Sequence, residues 1–174
     1  SGLTGAQVAV FTTNQIGRFS ATQIGAFTTN AVSGLTSADI AVLTTTQLSG
    51  FKAAQIGAIA TTAITGLTTT QVSALTTTQV SGLTGAQVAV LSITQIGRFS
   101  ASQIGALTIN AVSGLTSADV TALTTTQLAA LTSAQIGALT STAITGLTTT
   151  QISALTTTQV SGLTGAQVAV LSIT

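Results

Sequence analysis

The chain has 174 residues, of which 45% are apolar and 3% charged, and its formal net charge is +1. Cysteine, histidine, glutamate, methionine, tryptophan, tyrosine and proline are absent. That composition excludes a disulfide framework and leaves zinc, nucleophilic and acid–base schemes almost without parts. So few charges give no electrostatic footprint for nucleic acid or anionic membrane. Thr, Ser or Gln interrupts the apolar residues every few places, so no run approaches the roughly 18–20 needed to span a membrane. We expect no enzyme activity, no cofactor, no nucleic-acid partner and no membrane span.

A large apolar residue stands every eighth place from Leu3 to Leu171, and no position in that series is polar. A second apolar series runs five places behind it, from Val8 through Ile16, Ile24 and Val32 to Val168. The chain is therefore read as octads, numbered from Leu3, with position one at the first series and position six at the second. Residues 67–74, Leu-Thr-Thr-Thr-Gln-Val-Ser-Ala, are representative.

Within that octad Thr68 and Gln71 have the Thr-x-x-Gln spacing of a capping box, in which hydroxyl and amide reciprocally satisfy two backbone N–H groups. Thr76 and Gln79 repeat it in the next octad. Leu67 and Val72 stand where a hydrophobic staple needs them. The spacing predicts a helix of about six residues opening after each Thr and running to about the next Leu. A continuous helix fits badly. Eight residues over two turns require about 4.0 per turn against a natural 3.6, and over three turns about 2.7. The expected fold is all-α: a solenoid or superhelix of very short helices, one per octapeptide. The alternative is a β-solenoid, since Thr, Val and Ile favour strands. Positions one and six have opposite parity, however, so one strand cannot turn both to the same face.

Longer periods overlie the octad. Residues 1–80 return as 81–160, with about three quarters of the paired positions identical, and 161–174 begin a third unit. No linker or charge run divides residues 1–174, which read as one continuous repeat array, expected to be a segment of a longer chain. Position eight is mostly Gly in even octads (Gly34, Gly50, Gly66, Gly82) and Ala or Val in odd ones (Val42, Ala58, Ala74, Val90). Alternate octads should therefore meet different surroundings, with the glycine either a left-handed helix cap or a site of close backbone approach. One octad cannot fold alone: burying two aliphatic side chains yields roughly 3–6 kcal/mol, against roughly 8–16 kcal/mol for ordering eight residues. Neighbouring turns must supply the difference, which is the logic of a stacked array.

The charged residues are Arg18, Asp39, Lys52, Arg98 and Asp119. Asp39 and Asp119 replace Gln at position five and have no acidic neighbour in sequence, so helix capping is the expected role and no metal site is assigned. Arg18–Phe19 and Arg98–Phe99 recur once per unit and are candidate contacts for carbohydrate or a partner chain, or else an Arg stem lying over a ring. Ser49 and Lys52 match a Ser-x-x-Lys spacing, but the second unit has Ala129 and Thr132 there. None of Asn14, Asn30 or Asn110 begins a glycosylation triplet.

The run Leu-Thr-Thr-Thr-Gln-Val-Ser-Ala-Leu-Thr-Thr-Thr-Gln-Val-Ser-Gly, residues 67–82, resembles Thr/Ala/Gln-rich octapeptide-repeat regions of large bacterial surface or secreted proteins of adhesin-like kind. That resemblance implies an extracellular or cell-surface structural role. The opening Leu-Thr-x-x-Gln-Val is also similar to helix starts in the DNA-binding effectors of plant pathogens. Those need longer repeats and basic residues, both missing here. The expected function is a structural protein that forms an extracellular fibre, filament, stalk or sheath by assembling with copies of itself. The alternative is an adhesin or ice-binding surface built on repeated Thr hydroxyls.

Overall fold

In the computed structural model, which describes residues 2–171, every octad contributes one α-helix. Twenty-one helices of four to seven residues follow one another, and no strand occurs among the described residues. The β alternative is thereby disfavoured. All helices but those opening at Lys52 and Ala60 begin where the sequence has a side-chain acceptor to start them. Thr68 Oγ1 accepts from Gln71 N at 3.2 Å, while Gln71 Oε1 accepts from Thr68 N at 2.7 Å. Thr76 and Gln79 make the same pair of bonds at 3.2 and 3.0 Å. Helix exit is equally regular: from Phe11 to Leu163 the N–H of each position-one residue reaches back three places, as in Leu75 N to Val72 O and Leu83 N to Val80 O. These tight final bonds satisfy a carbonyl that the helix end would otherwise orphan.

Helix length alternates with octad parity. Odd octads mostly hold six residues, such as Ser37–Val42, Thr69–Ala74 and Ser117–Ala122. Even ones mostly hold four, such as Thr45–Leu48, Thr61–Ile64 and Thr77–Val80. The sequence expectation of about six residues throughout is met to the residue by seven of the twenty-one helices among the described residues. In most octads the difference goes with the residue at position eight. A Cβ added to Gly34, Gly50 or Gly66 would come within 2.0–2.1 Å of the carbonyl oxygens of Gly5, Ala21 and Ser37. The even octad is pressed there against the first helical residue of the octad three places earlier. No glycine among the described residues has positive φ. The left-handed cap is therefore corrected: close backbone approach, not backbone handedness, selects glycine.

The core is a single file of apolar side chains. Position six is fully removed from solvent from Val8 to Ile144, and position one is buried over most of the same span. Consecutive position-one side chains meet, as the edge-to-face rings of Phe11, Phe19 and Phe27 show, with centroids 5.7 and 5.2 Å apart. Long-range order is just as regular, since each helix touches the helix three octads further along.

Candidate functional site: the glutamine ladder and the hydroxyl surface

The most ordered polar feature is a file of glutamines at position five. Gln71, Gln79, Gln87 and Gln103 are 1–4% exposed, so both ends of each amide must find partners inside the protein. The oxygen serves the capping box of its own helix. The nitrogen points the other way, into the preceding layer of chain. Gln71 Nε2 donates to Ile40 O at 2.8 Å and Leu43 O at 2.7 Å. Gln103 Nε2 donates to Val72 O at 2.9 Å and Leu75 O at 2.7 Å. From Gln47 to Gln167 the position-one carbonyl 28 residues earlier always accepts, joined by a second carbonyl 30 or 31 residues earlier. Each amide thus spans the corner between two octads beneath it and ties cap, corner and layer together.

That second bond was missed in reading the sequence locally. A signal for it exists. A capping box accepts Glu as readily as Gln, yet the chain contains no Glu. Persistent Gln at a position whose local task needs only an acceptor indicates that a donor is used elsewhere.

Where Gln is replaced, the ladder loses a rung. Asp39 and Asp119 are 3% and 2% exposed, and each carboxylate accepts from its own Thr: Asp39 Oδ2 takes Thr36 N at 2.9 Å and Thr36 Oγ1 at 2.7 Å. Asp119 does the same with Thr116. Neither carries an N–H with which to reach the layer below. Ala31, Ala63, Ala111 and Ala143 fill the position with a buried methyl group. At Lys52 the cap itself is incomplete: its backbone N–H donates to Gln55 Oε1 at 2.7 Å, but the ammonium offers no acceptor in return. Ala60 makes neither half of a box.

The other sequence candidates separate. Phe99 is 2% exposed and Phe19 lies between Phe11 and Phe27, so both rings belong to the core at position one. Arg18 and Arg98 are exposed. Phe99 is thus enclosed in the core, whereas Phe19 is only partly buried and Arg18 and Arg98 lie outside it. The outer surface is formed chiefly by positions three and four, where Thr45, Thr46, Thr77 and Thr78 are exposed. Position-seven hydroxyls turn back to their own helix, as Ser49 Oγ does to Thr46 O at 2.7 Å. A shallow open groove runs between octads three and six along Ala21, Thr22, Gly25, Ala26 and Gly50, with Lys52 as its one charged side chain. No cluster of metal-ligating side chains occurs among the described residues, and no helix is long and apolar enough to cross a membrane.

Residues 112–149 match the ALTTAQ repeat family. This stretch holds the end of octad 14, octads 15–18 and the start of octad 19, with the Asp119 substitution and the rungs at Gln127 and Gln135. The chain is thus a repeat protein with a recognised repeat over those residues. No curated protein and no solved structure matches it.

Proposed function

We propose that the chain is a structural solenoid, one short helix per octad, which assembles with copies of itself into an extracellular fibre, filament, stalk or sheath. The observation that carries this reading is the glutamine ladder. Its separations of 28 and 31 residues fall between three and four octads, as a coil closing once in that interval requires. The buried amide nitrogens hold one layer to the next, and the outer face is hydroxyls and methyl groups with three charged side chains, Arg18, Lys52 and Arg98. Charge of both signs ordinarily keeps surfaces apart, and this surface has little of it. The extracellular placement rests on the resemblance to surface-protein repeats and on a composition with three Lys or Arg residues and no Cys or Met, poor in sites for proteolysis and oxidation. The ice-binding alternative needed a flat β face, and no strand occurs among the described residues. An adhesive hydroxyl surface is left as the competing outcome. Sedimentation and negative-stain microscopy of the 174-residue polypeptide at micromolar concentration test the reading. Elongated assemblies support it, and a folded monomer that never associates would defeat it.

A further inference from the structure

Lys52 stands where the fold asks for a hydroxyl. From Thr4 to Thr164 every position-two residue is Thr or Ser except Lys52 and Ala60, which open successive octads. Both helices there start without a side-chain cap: Gln55 N and Ala63 N turn only to the carbonyls of Lys52 and Ala60, at 3.0 and 2.9 Å. The second of these octads also lacks a rung, because Ala63 fills position five. Lys52 is exposed and its backbone is extended, at φ −85° and ψ 160°. Two small residues follow it, Ala53 half-buried and Ala54 exposed. The interior arginine is the contrast. Arg98 is exposed too, but Ser92 and Ser100 cap the helices on either side by accepting from Gln95 N and Gln103 N at 3.3 and 3.2 Å. The residue after it, Phe99, is 2% exposed.

We infer that the Lys52–Ala53 bond is a processing site for an endopeptidase of the trypsin type, whose acidic specificity pocket takes a lysine side chain. Cleavage of a folded chain proceeds from a locally opened form, and its rate follows the population of that form while reclosing outpaces cutting. The lysine is already extended. What must unwind is the helix behind it, Ala53–Ala58, and neither that helix nor Thr61–Ile64 has a side-chain cap to hold it. Each missing cap raises the open population about fivefold. Water adds across the bond, leaving a carboxylate on Lys52 and an amine on Ala53. The cut does not release the pieces. Gln55, Gln71 and Gln79 lie after it and donate to carbonyls before it, among them Phe27 O, Leu43 O and Phe51 O at 2.8, 2.7 and 3.0 Å. The nicked chain stays one folded body, joined by the ladder. This holds for a single chain and does not depend on the self-assembling reading above.

The test is digestion of the 174-residue polypeptide by trypsin under native conditions, with fragments identified by mass. Each rate is divided by that of an unstructured peptide spanning the same bond. On that scale Lys52–Ala53 should be cut about tenfold faster than Arg98–Phe99, or more. Ala60→Thr leaves the lysine in place and restores the cap that Thr140 makes in the second unit by accepting from Ala143 N at 2.9 Å. It should slow the cut about fivefold. The double substitution Thr132→Lys, Thr140→Ala should open a cut after position 132 at a rate near that after Lys52, while helical circular dichroism shows the variant folded. On a sizing column the nicked chain should elute with the uncut parent and divide into two pieces only in urea. Equal normalised rates at Lys52 and Arg98, or an Ala60→Thr variant cut as fast as the parent, would overturn the processing site. Fragments that part without denaturant would overturn the ladder's hold on the nicked chain.

Discussion

Gln71 shows how one side chain can do local and long-range work at once. Its oxygen starts the helix that contains it, and its nitrogen closes two bonds to the layer below. Three bonds at about 0.5–1.5 kcal/mol net each make Gln71→Ala destabilising by about 2–4 kcal/mol in urea titration. Gln71→Glu separates the two tasks. The cap survives, but a carboxylate is buried against carbonyl oxygens, which disfavours its ionised form and raises its folded-state pKa above the ordinary value of about 4.3. With a raised folded pKa the unfolded chain binds fewer protons over the interval, so stability falls as pH rises through it. The variant should therefore lose most stability at neutral pH and recover part of it below pH ~4; a pH-independent loss would show that the nitrogen, not the charge, accounts for the whole effect. The converse substitution is Asp119→Gln. It supplies an amide where the register places Val88 O and Leu91 O 31 and 28 residues earlier, and should raise stability by about 0.5–1.5 kcal/mol, read as a higher melting temperature.

At the scale of the element, each helix is far below the length at which an isolated helix persists in water, so caps and neighbours decide its survival. The two 80-residue units supply a natural comparison. Residues 51–66 start their helices at Lys52 and Ala60 with no side-chain cap, whereas Thr132 and Thr140 cap the equivalent helices by accepting from Gln135 N and Ala143 N. A cap is worth about 1 kcal/mol, and amide exchange should be faster in 51–66 than in 131–146. Equal protection would mean that layer contacts alone set local stability. Glycines give a second comparison. Gly66→Ala thrusts a methyl into Ser37 O and should cost about 1–3 kcal/mol. Gly165→Ala meets nothing within 4 Å and should be neutral or slightly stabilising. Gly50→Ala should cost less than Gly66→Ala, because Ala130 stands at the matching place in the second unit and its octad has a five-residue helix, Thr125–Ala129. These elements mark the limit of what could be read in advance. The capping boxes, the two apolar series and the failure of a strand to face both inward follow from spacing within eight residues. The ladder and the choice between the two roles of glycine depend on what lies 25–31 residues away, and an octad does not encode its partner's distance.

For the whole molecule, the sparse charge decides how the fold, and the assembly proposed for it, respond to conditions. Contacts between layers are amide–carbonyl bonds and aliphatic side chains, and the five charged residues are spread through the chain at about one in 35. Screening acts on exposed charges beyond a Debye length, about 10 Å at 0.1 M salt, and has little to act on here. Raising sodium chloride from low ionic strength to 1 M should therefore leave both the unfolding midpoint and the length distribution of the assemblies nearly unchanged. Sulfate should behave differently, because it is excluded from protein surface and strengthens effective burial; the unfolding midpoint should rise in it. Unfolding midpoints and light scattering across the two salt series distinguish the cases. Dissociation of the proposed assemblies by sodium chloride would require Arg18, Lys52 or Arg98, which are exposed, to carry the contact between chains.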